Sequence, residues 1–227
     1  MLEAVIFDLD GVLMDSEQRW NAAKEALVRG SGGSWRAEAP TVMMGMSSPE
    51  WSAYLRDELG VPLAADAISR EVVGRMQDGY RQELPLLPGA VETVRALADR
   101  WPLGLASSSN REVIDLVLEL ADLGDAFRVT VSSEEVERGK PDPEVYLRTA
   151  RELGADPARC VAIEDSSNGL RAAAAAQMAV IAVPNPQYPP DADAVALASA
   201  TVGVVGEITP ALVEQAAGAQ RPDPEQR

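Results

Sequence analysis

The chain has 227 residues, 46% of them hydrophobic, enough for one large α/β domain or a core with a smaller insert. A net charge of −16 argues against nucleic acid as a partner, because phosphate backbones are bound by clustered Lys and Arg, and no apolar run approaches the roughly 18 residues of a membrane span. The sequence has no histidine and a single cysteine, Cys160, which excludes a Ser-His-Asp triad, a Cys-His pair, a histidine phosphocarrier, a histidine-held zinc or iron, and an intrachain disulfide.

Taken in chain order, Ala4-Val5-Ile6-Phe7 is a continuous apolar run of the kind a strand buried on both faces requires. Leu2 leads into it without the basic head or cleavage site of a signal peptide, so a cytoplasmic location is expected. The run ends in Asp8-Leu9-Asp10-Gly11. Residues from about Ser16 to Leu86 then read as helices without a strand, over Glu17–Arg29, Pro49–Leu59 and Ala65–Glu83. After Pro85 and Pro88-Gly89, apolar runs return at Leu103–Ala106, Val129–Val131, Val161–Ile163 and Val180–Val183. They alternate with helical patterns at Val91–Arg100, Arg111–Leu120, Pro143–Leu153 and Asn168–Met178. The alternation predicts an α/β fold with a doubly wound parallel sheet. Residues 1–15 and 87–227 form its core, 16–86 an inserted helical unit, and 220–227 a frayed tail. Cys160, just before an apolar run, reads as a buried structural thiol.

Asp8 and Asp10 stand two apart on an extended backbone, so their side chains share a side at the end of a strand, where open α/β sheets bind ligands. Without histidine, proton transfer falls to carboxylates, Lys, Tyr, Cys or water, and a metal would be held by oxygen, favouring magnesium, calcium or manganese. An Asp-x-Asp is also a common pair of turn carboxylates. Lys140 is one of only two lysines, with Lys24, and reads either as a surface residue before a Pro-rich turn or as a point charge for an anion. Ser107, Ser108, Ser109 and Asn110 suit a helix N-cap or anion binding at a helix start.

The string Phe7-Asp8-Leu9-Asp10-Gly11-Val12-Leu13-Met14-Asp15-Ser16 resembles the first motif of the haloacid dehalogenase-like hydrolase superfamily. Ser107 in Leu105-Ala106-Ser107-Ser108-Ser109-Asn110, Lys140 in Gly139-Lys140-Pro141-Asp142-Pro143, and Glu164-Asp165-Ser166-Ser167-Asn168-Gly169 match the other three motifs in order. The resemblance implies Asp8 as nucleophile, Asp10 as acid and base, and Ser107 and Lys140 on the phosphoryl group. It also implies Mg2+ held by the side chains of Asp8 and Asp165 and the carbonyl of Asp10. Glu164 would be a direct ligand or an acceptor of metal-bound water. A divalent cation among converging carboxylates also makes independent sense, since it relieves their mutual repulsion and that of an anionic ester.

The helical insert is similar to the cap of the subgroup that includes β-phosphoglucomutase and phosphoglycolate phosphatase. Gly45, Met46 and Ser47 fall in the stretch resembling its specificity loop, with Ser108 and Asn110 as further substrate-side residues. That same stretch also reads as a helix start capped by Ser47 or Ser48 with Pro49 in the first turn. Trp20 and Trp51 read as buried packing or as pocket lining. Four outcomes share the scaffold. Asp10 argues against dehalogenation, and Lys24 is the only cap lysine a phosphonatase could use. Trp20 and Pro49 stand where a mutase would place a histidine and a clamp arginine. Hydrolysis of a small phosphomonoester by a monomer is the favoured reading, with a mutase or a non-catalytic binding module as alternatives.

Overall fold

Ala4–Phe7 (β1) buries all four of its side chains, which a strand covered on both faces must do. In the computed structural model, which describes residues 1–44 and 46–219, it lies at the centre of a six-stranded parallel sheet of order β3-β2-β1-β4-β5-β6. The other strands are Leu103–Ser107 (β2), Phe127–Ser132 (β3), Cys160–Glu164 (β4), Ala179–Ala182 (β5) and Ala200–Thr201 (β6). β1 pairs with β2 on one side and β4 on the other, so the order reverses at β1 and opens a crevice beyond its carboxyl end.

Alternating side chains divide the core between the two faces. Val5 and Phe7 join the apolar cluster that includes Ala90–Ala98 (α5), Arg111–Leu120 (α6) and Pro210–Gly218 (α10). Ala4 and Ile6 join the one that includes Glu144–Leu153 (α7), Ser167–Ala175 (α8) and Ala192–Val195 (α9). Between β1 and α5 lie only helices: Glu17–Gly30 (α1), Ala39–Met43 (α2), Ser48–Asp57 (α3) and Ala65–Gln82 (α4). α1 and α3 both pack on α4, and α4 also meets α6, so the insert rests on the sheet's helical layer. Cys160 is buried. No helix among the described residues is long and apolar enough to cross a membrane.

The doubly wound parallel sheet expected from the alternation is present, and each anticipated strand is found to within two residues. α2, α9, α10 and β6 have no counterpart among the elements expected from the sequence. α2, α9 and β6 span five, four and two residues, too few for a period to register. α10 starts at a threonine cap, where Thr209 accepts the N–H of Leu212; Pro210 opens the helix, and it runs past Glu214 to Gly218. The expected tail at 220–227 lies outside the described residues.

Candidate active site

The carboxyl ends of β1, β2 and β4 bring together residues more than 150 positions apart in the chain, because neighbouring parallel strands end at one edge. Asp8 follows β1, Ser107 closes β2, Glu164 closes β4 and Asp165 follows it. Gly11 turns the chain away at φ +78°, a conformation L side chains rarely adopt, and a Cβ there would also collide with the Asp165 carboxylate. Gly169, on the first turn of α8, leaves the room that the Glu164 carboxylate occupies.

Lys140 reaches this edge from the loop before α7 and is buried. Its Nζ donates to Asp8 Oδ1 at 2.8 Å, Glu164 Oε1 at 2.6 Å and the Ala106 carbonyl at 3.0 Å. Glu164 Oε1 also accepts the Tyr146 hydroxyl at 2.8 Å. Its Oε2 accepts the backbone N–H of Asp165 and Ser166 and the Ser166 hydroxyl. Both oxygens of Glu164 are therefore engaged, whereas Asp8 Oδ2 accepts no hydrogen bond among the described residues.

Asp8, Glu164 and Asp165 each present an oxygen within 4.8 Å of the others, all three buried, against the single ammonium of Lys140. Burial pushes Asp8 up to about 8; Glu164 and Asp10 add to the rise and Lys140 opposes it. Asp165 is raised by burial and then by Glu164 and Asp8. Burial acts to lower the Lys140 ammonium, but Asp8 and Glu164 overcome it and hold the lysine charged. A donor set made only of oxygen, with more negative than positive charge in a buried space, fits a hard dication such as magnesium.

Asp10 is held by donors from both layers. Oδ1 accepts from Ser16 Oγ at 2.5 Å and from Trp20 Nε1 at 3.2 Å, and Oδ2 from Ser109 Oγ at 2.6 Å. Ser107 is fully buried beneath the site, where its hydroxyl accepts the Ser109 N–H at 3.0 Å. Ser108 and Asn110 line the cavity above. The Asn110 amide is already committed, accepting from Ser48 at 2.7 Å and donating to Glu134 at 2.6 Å, with Ser69 at 3.4 Å. It therefore joins α3 and α4 of the insert to the core.

The cavity has a volume of about 70 Å³, several times what one water needs. Met46 lines it, as do Met43 and Met44. Ser47 does not reach it: it precedes α3, where its N–H and hydroxyl both donate to Glu50, the capping alternative in the sequence. Gly45 lies outside the described residues. Trp20 and Trp51 are buried, as packing requires, and both also line the cavity with Glu17 and Lys24. Ser16 and Tyr146 join the site without being among the residues expected there, and Ser109, a helix-cap alternative in the sequence, donates to Asp10. Ser109 belongs to a run of three serines, and only the folded turn tells which one reaches Asp10.

Residues 2–177 match the family described as haloacid dehalogenase-like hydrolase. Hexitol phosphatase B of Escherichia coli (strain K12) is 38% identical over 190 residues, covering 81% of this chain and 84% of its own. A phosphorylated carbohydrates phosphatase of Thermotoga maritima is 32% identical over 177 residues, covering 77% and 82%. The solved structure of CbbY from Rhodobacter sphaeroides, in complex with phosphate, superposes with a TM-score of 0.84 at 27% identity over 94% of this chain and 100% of its own.

Proposed function

The chain belongs to the haloacid dehalogenase-like hydrolase family and is a phosphoric monoester hydrolase, and we propose that it cleaves small sugar or polyol phosphates with magnesium, Asp8 taking the phosphoryl group. The observation that carries this reading is the unlike treatment of two neighbouring carboxylates. Asp8 has one oxygen on Lys140 and the other without a hydrogen bond among the described residues, as a nucleophile needs, while Asp10 is held by three donors, as a proton carrier needs to be oriented. The two carbohydrate-phosphate phosphatases among the relatives favour the substrate class.

In the first half-reaction Asp8 Oδ2 attacks phosphorus, the ester P–O bond breaks, and the departing alkoxide takes the proton of Asp10. In the second, Asp10 takes a proton from water, whose oxygen attacks the phosphoryl group on Asp8. Phosphate leaves, Asp8 is restored as carboxylate and Asp10 again holds its proton. Lys140 keeps Asp8 aimed and offers positive charge to the transferring group. Ser107, buried beneath the cavity, accepts the Ser109 N–H and so steadies the turn from which Ser109 donates to Asp10.

Asp8, Asp165 and the Asp10 carbonyl would hold magnesium, which when bound supplies the charge that lets a carboxylate approach an anionic ester. Glu164, with both oxygens engaged, positions Lys140 and the Asp165 loop instead of serving as a ligand. The helices of 16–86 act as a cap that closes over the cavity and excludes water. Hydrolysis is preferred to a mutase reaction because Trp20 meets Asp10 where a mutase has histidine.

The test is a panel of phosphate esters with and without magnesium. The expected result is magnesium-dependent phosphate release, fastest on sugar and polyol monophosphates and measurable on p-nitrophenyl phosphate. No release from any ester by a correctly folded chain would leave a binding module instead.

A further inference from the structure

Two charged side chains of the first cap helix take no part in the chemistry above, yet both line the cavity. Glu17 opens α1, and Lys24 stands two turns further along the same face, roughly 10 Å away along the helix axis. Lys24 is 7% exposed. Its Nζ lies 5.5 Å from the ring centre of Trp20 and 5.1 Å from that of Trp51, and it makes no hydrogen bond or ion pair among the described residues. The half-buried Glu17 carboxylate likewise accepts no hydrogen bond there, and it forms no ion pair with Lys24 among the described residues. Burial pulls the Lys24 ammonium down to about 8, against the influence of Glu17 and Asp10, as expected of a cation without acceptors.

Buried charged groups are ordinarily hydrogen-bonded, because leaving one unsatisfied costs its desolvation. The indole faces satisfy Lys24 in part but give its N–H groups no oxygen. We propose that Glu17 and Lys24 are the specificity residues of the cap, an acceptor and a donor that hydrogen-bond hydroxyls on the leaving group and restrict the enzyme to monophosphates whose leaving group is neutral and polyhydroxylated. This rests on the phosphatase reading above and narrows its substrate class. A leaving group bearing a second phosphate or a carboxylate would satisfy Lys24 but would face Glu17, a like charge on the half-buried wall of the cavity. Hydroxyls satisfy both, since each can donate to Glu17 and accept from Lys24.

The experiment measures kcat and KM of the native chain, Lys24→Met and Glu17→Ala on three esters: sorbitol 6-phosphate, phosphoglycolate, and p-nitrophenyl phosphate, which has no hydroxyls. Each variant should lose roughly 10- to 100-fold in kcat/KM on the sorbitol ester, mostly through KM, and at least tenfold less on p-nitrophenyl phosphate. Glu17→Ala should gain on phosphoglycolate. Equal losses on sorbitol and p-nitrophenyl esters would overturn the proposal, as would no loss on either. It would also fall if Lys24→Met lost most on phosphoglycolate, which would make Lys24 an anion clamp. Lys24→Gln serves if the Met variant fails to fold. An inactive native chain would instead refute the phosphatase reading, so the two failures are separable.

Discussion

At the scale of single residues, charge imbalance is the organising fact of the site. Asp8 is pushed up to about 8 because it is buried beside Glu164 and Asp10, with only Lys140 opposing. The folded protein therefore holds a proton there that the unfolded chain, with an ordinary Asp near ~3.9, gives up. Stability of the metal-free protein must fall as pH rises between those two values, because the folded state binds more protons. In the proposed reaction a dication would take the proton's place. Magnesium should thus raise the melting temperature more at about pH 8 than at about pH 6. Thermal unfolding with and without the ion checks this, and a shift independent of pH would speak against metal at these carboxylates. Asp8, Asp10, Lys140 and Asp165 are legible in the sequence because their motifs are local strings. Tyr146, Ser16 and the Trp20 contact to Asp10 are not, since each becomes a site residue only through a partner on another element.

At the scale of elements, the short buried strands can be read because a parallel strand covered on both faces needs uninterrupted apolar residues, and β1 supplies four. The joint between insert and core cannot. It runs through Asn110, which the string places at a helix start and the fold places between Ser48, Ser69 and Glu134. Replacing it with alanine leaves Glu134 and Ser48 without that partner. Asn110→Ala should cost about 1–3 kcal/mol in denaturant unfolding. It should also loosen the insert, seen as faster proteolysis within residues 16–86; unchanged stability and cleavage would show that the joint carries little.

For the whole molecule, the parallel order with its reversal at β1 gathers four distant segments at one edge, and the helical insert roofs the crevice they form. In the proposed reading, the sheet fixes what reaction can occur and the insert fixes which ester is admitted. This division explains why the chemistry is readable from four motifs while the leaving group is not: Glu17 and Lys24 gain meaning only once Trp20 and Trp51 are seen around the ammonium. The proposed reaction turns on Asp8 as the carrier of the phosphoryl group. Its most direct measurement is magnesium-dependent phosphate release from a polyol monophosphate by the native chain and by Asp8→Asn, with melting curves recorded on both. Steady release by the native chain is expected, with a loss of at least about 10³-fold in the folded variant, since an amide cannot replace the nucleophile. A folded Asp8→Asn chain that still turned over at an appreciable fraction of the native rate would contradict it.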